Sequence, residues 1–289
     1  LKERFLYLFV FINTYSGGIT MKKFSLVLSG VLLTGLLSAC GDDATSGPLD
    51  ENKLVVGVTS GPHEQVTEVV AEIAARDGLE IEIKAFSDFI LPNTALDEGS
   101  LDANSYQTLP FLDSFNENND TELVPVAETI LLPMGVYSEK YSSFDELPDG
   151  ATFGLPNDPT QGARALDILE VNGFIKVKEG KKGNASIHDI EENPKNLEFV
   201  ELEAAQIVKQ LSEVDAAAIN SNYALEAGIN PGEESILLES ADSPYVNHIV
   251  VRKENENDPV IQKFIKAYHS DEVREFIEEE FQGSALAGW

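Results

Sequence analysis

Short β-rich runs and amphipathic helical segments alternate along this chain, and that alternation constrains the fold more than any other feature. Residues 53–58 predict a strand that ends at Thr59-Ser60-Gly61-Pro62, and residues 64–76 place apolar side chains at helical spacing. Asp77-Gly78 ends the helix, and the alternating residues 79–83 predict a second strand. A strand, a helix and a strand in this order predict two parallel strands in one sheet.

The same alternation returns in the second half of the chain. The predicted elements there are strand 151–155, helix 161–172, strand 197–201, helix 204–211 and strand 216–219. Two strand-like segments, 131–141 and 245–252, join the two units. The predicted fold class is α/β, with two α/β lobes joined by two crossover strands: lobe 1 comprises 53–142 plus 246–289, and lobe 2 comprises 143–245. Ligands of such sheets bind at the carboxyl ends of the strands, so we expect a cleft between the lobes.

A secretion signal precedes the lobes. Met21 is followed by two lysines, an apolar run (24–37), small residues and Cys40. This order is typical of a bacterial lipoprotein signal peptide (21–39), after which the cysteine becomes the lipid-bearing first residue. The apolar run is shorter than the roughly 20 residues of a spanning helix. We therefore expect lipidation at Cys40, a flexible tether over 40–52 and a location on the extracytoplasmic face of the cell membrane.

Residues 1–20 precede that signal and do not fit it. Signal peptides do not normally carry a stretch of this kind before the initiating methionine and its lysines. We interpret these residues as a wrongly assigned upstream extension, with translation starting at Met21. A genuine longer leader is the alternative, and it leaves the mature protein unchanged.

The mature chain is strongly acidic. Removing residues 1–40 takes four basic residues and Glu3 from the 20 basic and 50 acidic residues, which leaves 16 and 49 and a formal charge of −33. Nucleic acids and anionic lipids repel such a chain, so neither is an expected electrostatic partner. Membrane attachment is expected through the lipid on Cys40, and a single cysteine contributes no disulfide to the fold.

Common catalytic motifs are absent from the sequence. The four histidines are widely separated, none is in a His-x-x-x-His pattern, and there is no Gly-x-Ser-x-Gly or Walker sequence. His63 opens a helix after Gly61-Pro62; it either lines the cleft or is a helix-start residue beside the binding loop, and we favour the second interpretation. We therefore expect a binding protein without cofactor or metal, and not an enzyme.

Arg164 lies early in a helix that follows the loop 156–160. Its guanidinium either holds a carboxylate bidentately near the helix N-terminus or pairs with one of the many acidic residues. Asn220, Asn222 and Asn247 follow buried strands or lie in a crossover, and their amides offer both a donor and an acceptor to a zwitterion. Four aromatic residues are candidates for an apolar wall, although aromatics are by default core residues: Phe86, Phe89, Tyr106 and Phe111.

Several blocks of sequence make a family resemblance specific. They are Phe86-Ser87-Asp88-Phe89 with Pro92-Asn93-Thr94-Ala95-Leu96, Leu101-Asp102-Ala103-Asn104, Leu155-Pro156-Asn157-Asp158-Pro159-Thr160, Asn220-Ser221-Asn222-Tyr223-Ala224-Leu225-Glu226-Ala227-Gly228 and Ser243-Pro244-Tyr245-Val246-Asn247. With these blocks, from about Leu54 to Phe281, the chain resembles the NlpA/MetQ family of methionine-binding lipoproteins. The resemblance implies a type II periplasmic-binding-protein fold and the substrate-capture subunit of an ABC importer, a monomer that works with a permease and its ATPase.

The resemblance also implies roles for single residues. In that family the cleft arginine after the Asn-Asp-Pro-Thr loop holds the amino-acid carboxylate, and this position falls on Arg164. Asn220, Asn222 and Asn247 resemble the family's polar clamp. Phe89 and Tyr106 resemble the family's pocket for the ligand side chain. The remaining candidate ligand-binding residues come from the same regions: Phe86, Gln107, Thr108, Asn157, Thr160 and Tyr223.

Two blocks depart from the family pattern where a ligand side chain would lie. The usual Phe-Phe-Gln-His is Ser105-Tyr106-Gln107-Thr108 here, and the usual Thr-Asn-Glu-Gly-Arg is Thr160-Gln161-Gly162-Ala163-Arg164. Both departures change the volume and polarity of the pocket and keep the arginine. The expected ligand is methionine or a related amino acid. The alternatives are another apolar amino acid, a methionine-containing dipeptide or, in a different class, a surface adhesin lipoprotein without transported cargo.

Overall fold

The computed structural model describes residues 48–289 of the chain. The predicted signal peptide, the lipidated Cys40 and the upstream stretch 1–20 lie outside the described residues. Within 48–289, no helix has the length and apolar character that a membrane crossing requires.

The described chain alternates strands and helices as the sequence predicts. In chain order the strands are β1 (Lys53–Thr59), β2 (Glu80–Phe86), β3 (Ala103–Thr108), β4 (Leu123–Leu131), β5 (Gly135–Tyr137), β6 (Thr152–Pro156), β7 (Lys176–Val177), β8 (Ile190–Glu192), β9 (Glu198–Leu202), β10 (Ala216–Ile219), β11 (Leu237–Leu238), β12 (Val246–Arg252) and β13 (Leu286–Ala287). The helices are α1 (Pro62–Arg76), α2 (Leu91–Asp97), α3 (Leu109–Asn119), α4 (Pro159–Val171), α5 (Ala204–Gln210), α6 (Ser221–Glu226), α7 (Pro231–Glu234), α8 (Pro259–Tyr268) and α9 (Asp271–Phe281).

The first lobe is built on a six-stranded sheet in the order β13-β4-β12-β3-β1-β2. β1 pairs in parallel with β2 and β3, as the strand–helix–strand pattern predicts, and β12 pairs antiparallel with β3 and β4. Leu54, Val56 and Val58 of β1 are fully buried against α1, α8 and α9, because alternate side chains of a strand face the same side.

The second lobe is built on a five-stranded sheet in the order β11-β5-β10-β6-β9. β6 pairs in parallel with β9 and β10, whereas β5 pairs antiparallel with β10 and β11. All four residues of β10 are buried. Ala216 and Ala218 pack beside α4, and Ala217 and Ile219 pack beside α5, so both faces of this strand are covered.

The chain crosses between the lobes earlier than we predicted from the sequence. We predicted that lobe 1 extends to residue 142, but β5 hydrogen-bonds within the second sheet, where Tyr137 is opposite Ala217. The first crossing segment is therefore 132–134, and the chain returns through 239–245. The prediction missed this because residues 131–141 read as one strand-like run, and only non-local pairing shows that β4 and β5 join different sheets.

The predicted tether (40–52) is fixed to the first lobe over its described end. Leu49 packs against the core, and its N–H donates to a carboxylate oxygen of Asp258 at 3.2 Å. The Asn52 carbonyl accepts from the N–H of Glu80 at 2.8 Å. Residues 49–52 thus belong to the folded lobe, because an apolar side chain and backbone hydrogen bonds hold them there.

Helix α4 begins beside the carboxyl end of β6 and sets the position of Arg164. Asp158 caps the helix, because its carboxylate accepts from the N–H groups of Thr160 (3.0 Å) and Gln161 (2.9 Å). One turn on, a Cβ at Gly162 would lie 2.9 Å from the carbonyl oxygen of Pro156. A glycine at this position therefore allows the helix to approach the strand end closely.

Replacing Gly162 by alanine should destabilise the second lobe, because the new methyl group meets backbone rather than a movable side chain. We expect the free energy of unfolding, measured by urea denaturation, to fall by about 1–3 kcal/mol. Val171→Ala is the control, since Val171 is 71% exposed at the end of the same helix and its truncation should cost less than about 0.5 kcal/mol. Equal stability of the two variants would contradict the close approach.

Candidate ligand-binding site

A cavity lies between the two lobes, at the carboxyl ends of the parallel strands. The empty space there, including the part open to solvent, is about 370 Å³. Both lobes line it, with these residues: His63, Phe89, Tyr106, Gln107, Thr108, Phe111, Leu132, Gln161, Arg164, Asn220, Ser221, Asn222 and Asn247. Eight of the twelve residues predicted to bind a ligand are among them.

Arg164 is the one formally charged residue among the described residues that line the cavity, and it is 4% exposed. Its Nε donates to both carboxylate oxygens of Glu239 (3.0 and 3.2 Å), and its Nη2 donates to Glu239 and to the carbonyl of Leu132 (2.8 Å). The ring of Tyr245 lies 4.7 Å from the guanidinium carbon. Within residues 48–289 no hydrogen bond uses Nη1, so this edge remains for a ligand.

The cavity contains buried polar atoms that have no hydrogen-bond partner among the described residues. Asn220 donates through Nδ2 to Gln161 (2.7 Å), whereas its Oδ1 is unpaired. Nδ2 of Asn222 and Oγ1 of Thr108 are unpaired as well. Asn247 donates through Nδ2 to the carbonyl of Ile130 at 2.8 Å. The cavity therefore offers an acceptor, a donor and a hydroxyl beside the arginine.

Aromatic rings form one wall of the cavity. Phe89 stacks on Tyr106 with ring centroids 6.3 Å apart, and Phe111 meets Phe89 edge-on at 6.0 Å. The Tyr106 hydroxyl donates to the carbonyl of Phe89 at 2.6 Å, and burial raises the pKa of this phenol. The rings of Tyr223 in the second lobe and Phe89 in the first lobe have centroids 5.1 Å apart, so the lobes touch across the cleft.

His63 lines the cavity, although from the sequence we favoured a helix-start position beside the binding loop. Its Nδ1 lies 2.8 Å from Oγ1 of Thr59, and its Nε2 is buried without a partner among the described residues. Burial lowers the pKa of His63 to about 3, and the neighbouring Asn247 side chain opposes this shift only in part. The imidazole is therefore neutral at physiological pH.

Gln107 lines the cavity, but its amide is bound within the first lobe. Its Nε2 donates to Asn93 (2.6 Å) and Asn104 (2.8 Å), and its Oε1 accepts from Asn93 (2.7 Å). Asn104 also donates to Asn93 at 2.8 Å, so the three amides form a closed buried network. The network holds the end of β3 in place, which orients Thr108 and Tyr106 towards the cavity.

Four predicted site residues lie away from the cavity lining. Phe86 packs beside the small core cluster around Leu101, and Tyr223 packs against the Phe89 ring without lining the cavity itself. Asn157 is exposed, and the Thr160 hydroxyl donates to the capping carboxylate of Asp158. Their sequence blocks are near the site because each lies at or just after the end of a strand, but these four side chains do not line the cavity.

Five residues that shape the site were not among the predicted ligand contacts. Leu132 and Ser221 line it from the first crossing segment and the start of α6, and Gln161 lines it from α4. No local sequence pattern predicts the role of Glu239, because it lies 75 residues from its partner Arg164 along the chain. Gln161 and His63 follow Gly-, Pro- or Asp-containing loops after strands, which is the one local signal that marks them.

Two α/β lobes joined by two crossing segments, with a buried polar cavity between them, define a type II periplasmic substrate-binding protein. This is the predicted fold class. Residues 54–289 match the NlpA lipoprotein family, and the chain belongs to that family.

Relatives with known names and structures cover most of the chain. The D-methionine-binding lipoprotein MetQ of Escherichia coli (strain K12) is 41% identical over 264 residues, which are 90% of this chain and 96% of the relative. The probable D-methionine-binding lipoprotein MetQ of Vibrio cholerae serotype O1 is 40% identical over 268 residues, 92% of this chain and 98% of the relative. A nutrient binding protein from Burkholderia cenocepacia, solved bound to methionine, has a TM-score of 0.80 and 45% identity, and covers 82% of this chain and 100% of its own.

The buried His63 should make stability depend on pH. Its pKa falls from 6.5 unfolded to about 3 folded, so below pH 6.5 the unfolded state binds a proton that the folded state excludes. The contribution of His63 to the free energy of unfolding is complete above pH 6.5. At pH 5 this free energy is lower by about 2 kcal/mol. Urea denaturation at several pH values should show a flatter decline for His63→Gln, whereas the exposed His188→Gln should follow the native profile. Parallel profiles for all three proteins would refute the buried neutral imidazole.

Proposed function

We propose that this protein is the lipid-anchored, extracytoplasmic substrate-binding subunit of an ABC importer, and that it captures methionine or a closely related amino acid for delivery to the permease. The observation that carries the proposal is the composition of the cavity. A guanidinium edge and unpartnered amide atoms lie beside a wall of three aromatic rings. An α-amino acid with an apolar side chain presents the matching groups.

In the proposed complex the ligand carboxylate accepts a hydrogen bond from Nη1 of Arg164. A charge-assisted hydrogen bond of this kind contributes about 1.5–3 kcal/mol. The ligand ammonium donates to the free Oδ1 of Asn220, and the side chain packs against Phe89, Tyr106 and Phe111. The relatives named for D-methionine and the methionine-bound structure support this assignment.

Because the site lies between two lobes, ligand binding changes the conformation of the protein, and the permease recognises that change. The ligand contacts Arg164 and Asn220 of the second lobe and the aromatic wall of the first lobe. A ligand that touches both lobes binds the closed form better than the open form, so it shifts the population towards closure. The closed protein then docks on the permease, whose ATPase drives import, while the lipid on Cys40 keeps it at the membrane.

A thermal-shift screen against L- and D-amino acids and methionine-containing dipeptides tests the proposed ligand class. At 100 times the dissociation constant, a ligand adds about 2.7 kcal/mol of stability. For a domain of this size we expect methionine to raise the melting temperature by about 5–10 °C. A larger shift with a dipeptide would move the assignment to that ligand. No shift with any compound would contradict the proposed function and favour an adhesin.

The role of Arg164 is best tested by removing it together with Glu239. Arg164→Ala alone leaves a buried carboxylate without its partner, which destabilises a fold by about 3–5 kcal/mol. The double variant Arg164→Met, Glu239→Gln removes both charges, so we expect it to fold and to bind methionine about 10- to 100-fold more weakly by calorimetry. The matched control is Arg76→Met, Glu272→Gln, an exposed pair whose removal should leave the affinity unchanged. Native affinity in the first double variant would refute the proposed contact.

A further inference from the structure

The charge of Arg164 is already balanced inside the protein. Glu239 and Arg164 have side chains that are 9% and 5% exposed, and they share three hydrogen bonds. The carboxylate of Glu239 is also fixed from its own side, because it accepts from the N–H of Met134 at 2.9 Å, and the Glu239 N–H donates to the Met134 carbonyl at 3.0 Å. Glu239 therefore cannot turn away from Arg164 without losing several hydrogen bonds.

The other described residues that line the cavity add no formal charge. They are aromatic, aliphatic, hydroxyl or amide side chains and a neutral imidazole. The formal charges of the lining residues and Glu239 therefore sum to zero, although the lining includes an arginine. A carboxylate that enters with no positive charge of its own leaves one negative charge uncompensated in a buried site, which is unfavourable.

We infer that Glu239 is a specificity-determining residue: by cancelling the charge of Arg164 it makes the site select net-neutral, zwitterionic ligands over anions that carry the same carboxylate and side chain. This inference rests on the proposed function. Arg164 supplies the hydrogen-bond donor for the ligand carboxylate, and the ligand ammonium supplies the balancing charge beside Oδ1 of Asn220. Glu239 acts through Arg164 and does not touch the ligand.

Two ligands separate charge from hydrogen bonding. Methionine, in the enantiomer that binds, is compared with its α-hydroxy analogue, 2-hydroxy-4-(methylsulfanyl)butanoate, which keeps a donor at the α carbon but has no positive charge. We expect native protein to bind the hydroxy analogue at least about 100-fold more weakly, as measured by calorimetry. Affinities within about 10-fold of each other would overturn the inference while leaving the proposed function intact.

Glu239→Gln then tests the residue itself, because glutamine keeps a hydrogen-bond acceptor and loses the charge. The site gains one positive charge, so we expect the affinity ratio of methionine to the hydroxy analogue to shrink at least about 10-fold. Asp242→Asn is the matched control: Asp242 is exposed on the same crossing segment, and its replacement changes the net charge of the protein equally. In Asp242→Asn the affinity ratio of methionine to the hydroxy analogue should stay within about twofold of the native ratio.

The outcomes are distinct. A folded Glu239→Gln protein with the native ratio would overturn the assignment of Glu239, and so would an equal change in Asp242→Asn, which would show an effect of overall charge. If Glu239→Gln does not fold, the two ligands on native protein still test the selection of zwitterions: affinities within about 10-fold would overturn it, and a difference of at least about 100-fold would support it. Failure of methionine to bind native protein would instead contradict the proposed function, and the inference with it.

Discussion

The buried ion pair of Arg164 and Glu239 is the interaction on which the site depends. Two charges removed from water are costly unless further hydrogen bonds satisfy them. Here the carbonyl of Leu132 and the N–H of Met134 supply those bonds, and both residues belong to the first crossing segment. Glu239 begins the second one. The pair therefore ties the cavity-lining arginine to both connections between the lobes, so the geometry of the arginine and the path of the crossing chains are set together.

The ends of two buried strands set the positions of other polar residues that line the cavity. β3 and β10 are buried along their whole length, and the residues at or just after their ends are polar: Thr108 and Asn220. These side chains stay buried between the lobes, and one atom of each, Oγ1 of Thr108 and Oδ1 of Asn220, has no partner among the described residues. Each such atom costs about 1–3 kcal/mol in the folded protein. In the proposed complex a ligand that pairs with them offsets this cost, so we expect binding to favour the arrangement in which both lobes line the cavity.

Local sequence patterns predicted the strands and helices. The sheet to which β5 belongs and the acidic partner of Arg164 depend instead on contacts between residues far apart in the chain. The strands and helices of both lobes, and Arg164 in the helix after the 156–160 loop, follow from periodicity, turn residues and a family resemblance. The place of β5 depends on pairing with β10, which lies about 80 residues away. Glu239 is one acidic residue among 50, and only folding brings it to Arg164. Arg164 pairs with an acid, Glu239, as one of its two open interpretations has it; the other, that it holds a ligand carboxylate, remains a proposal that the unused Nη1 supports.

The departures from the family pattern affect the polar part of the cavity more than its apolar wall. Ser105 does not line the cavity; it is buried in the first lobe beside Tyr268, whose pKa is raised by burial. Thr108 does line it, next to Asn247 in the β3–β12 register, where the family pattern has a histidine. An imidazole nevertheless reaches the same cavity from His63 at the start of α1. Because Phe89, Tyr106 and Phe111 line the cavity, its wall remains apolar, and the departures change the polar part of the lining at Thr108 and Gln161.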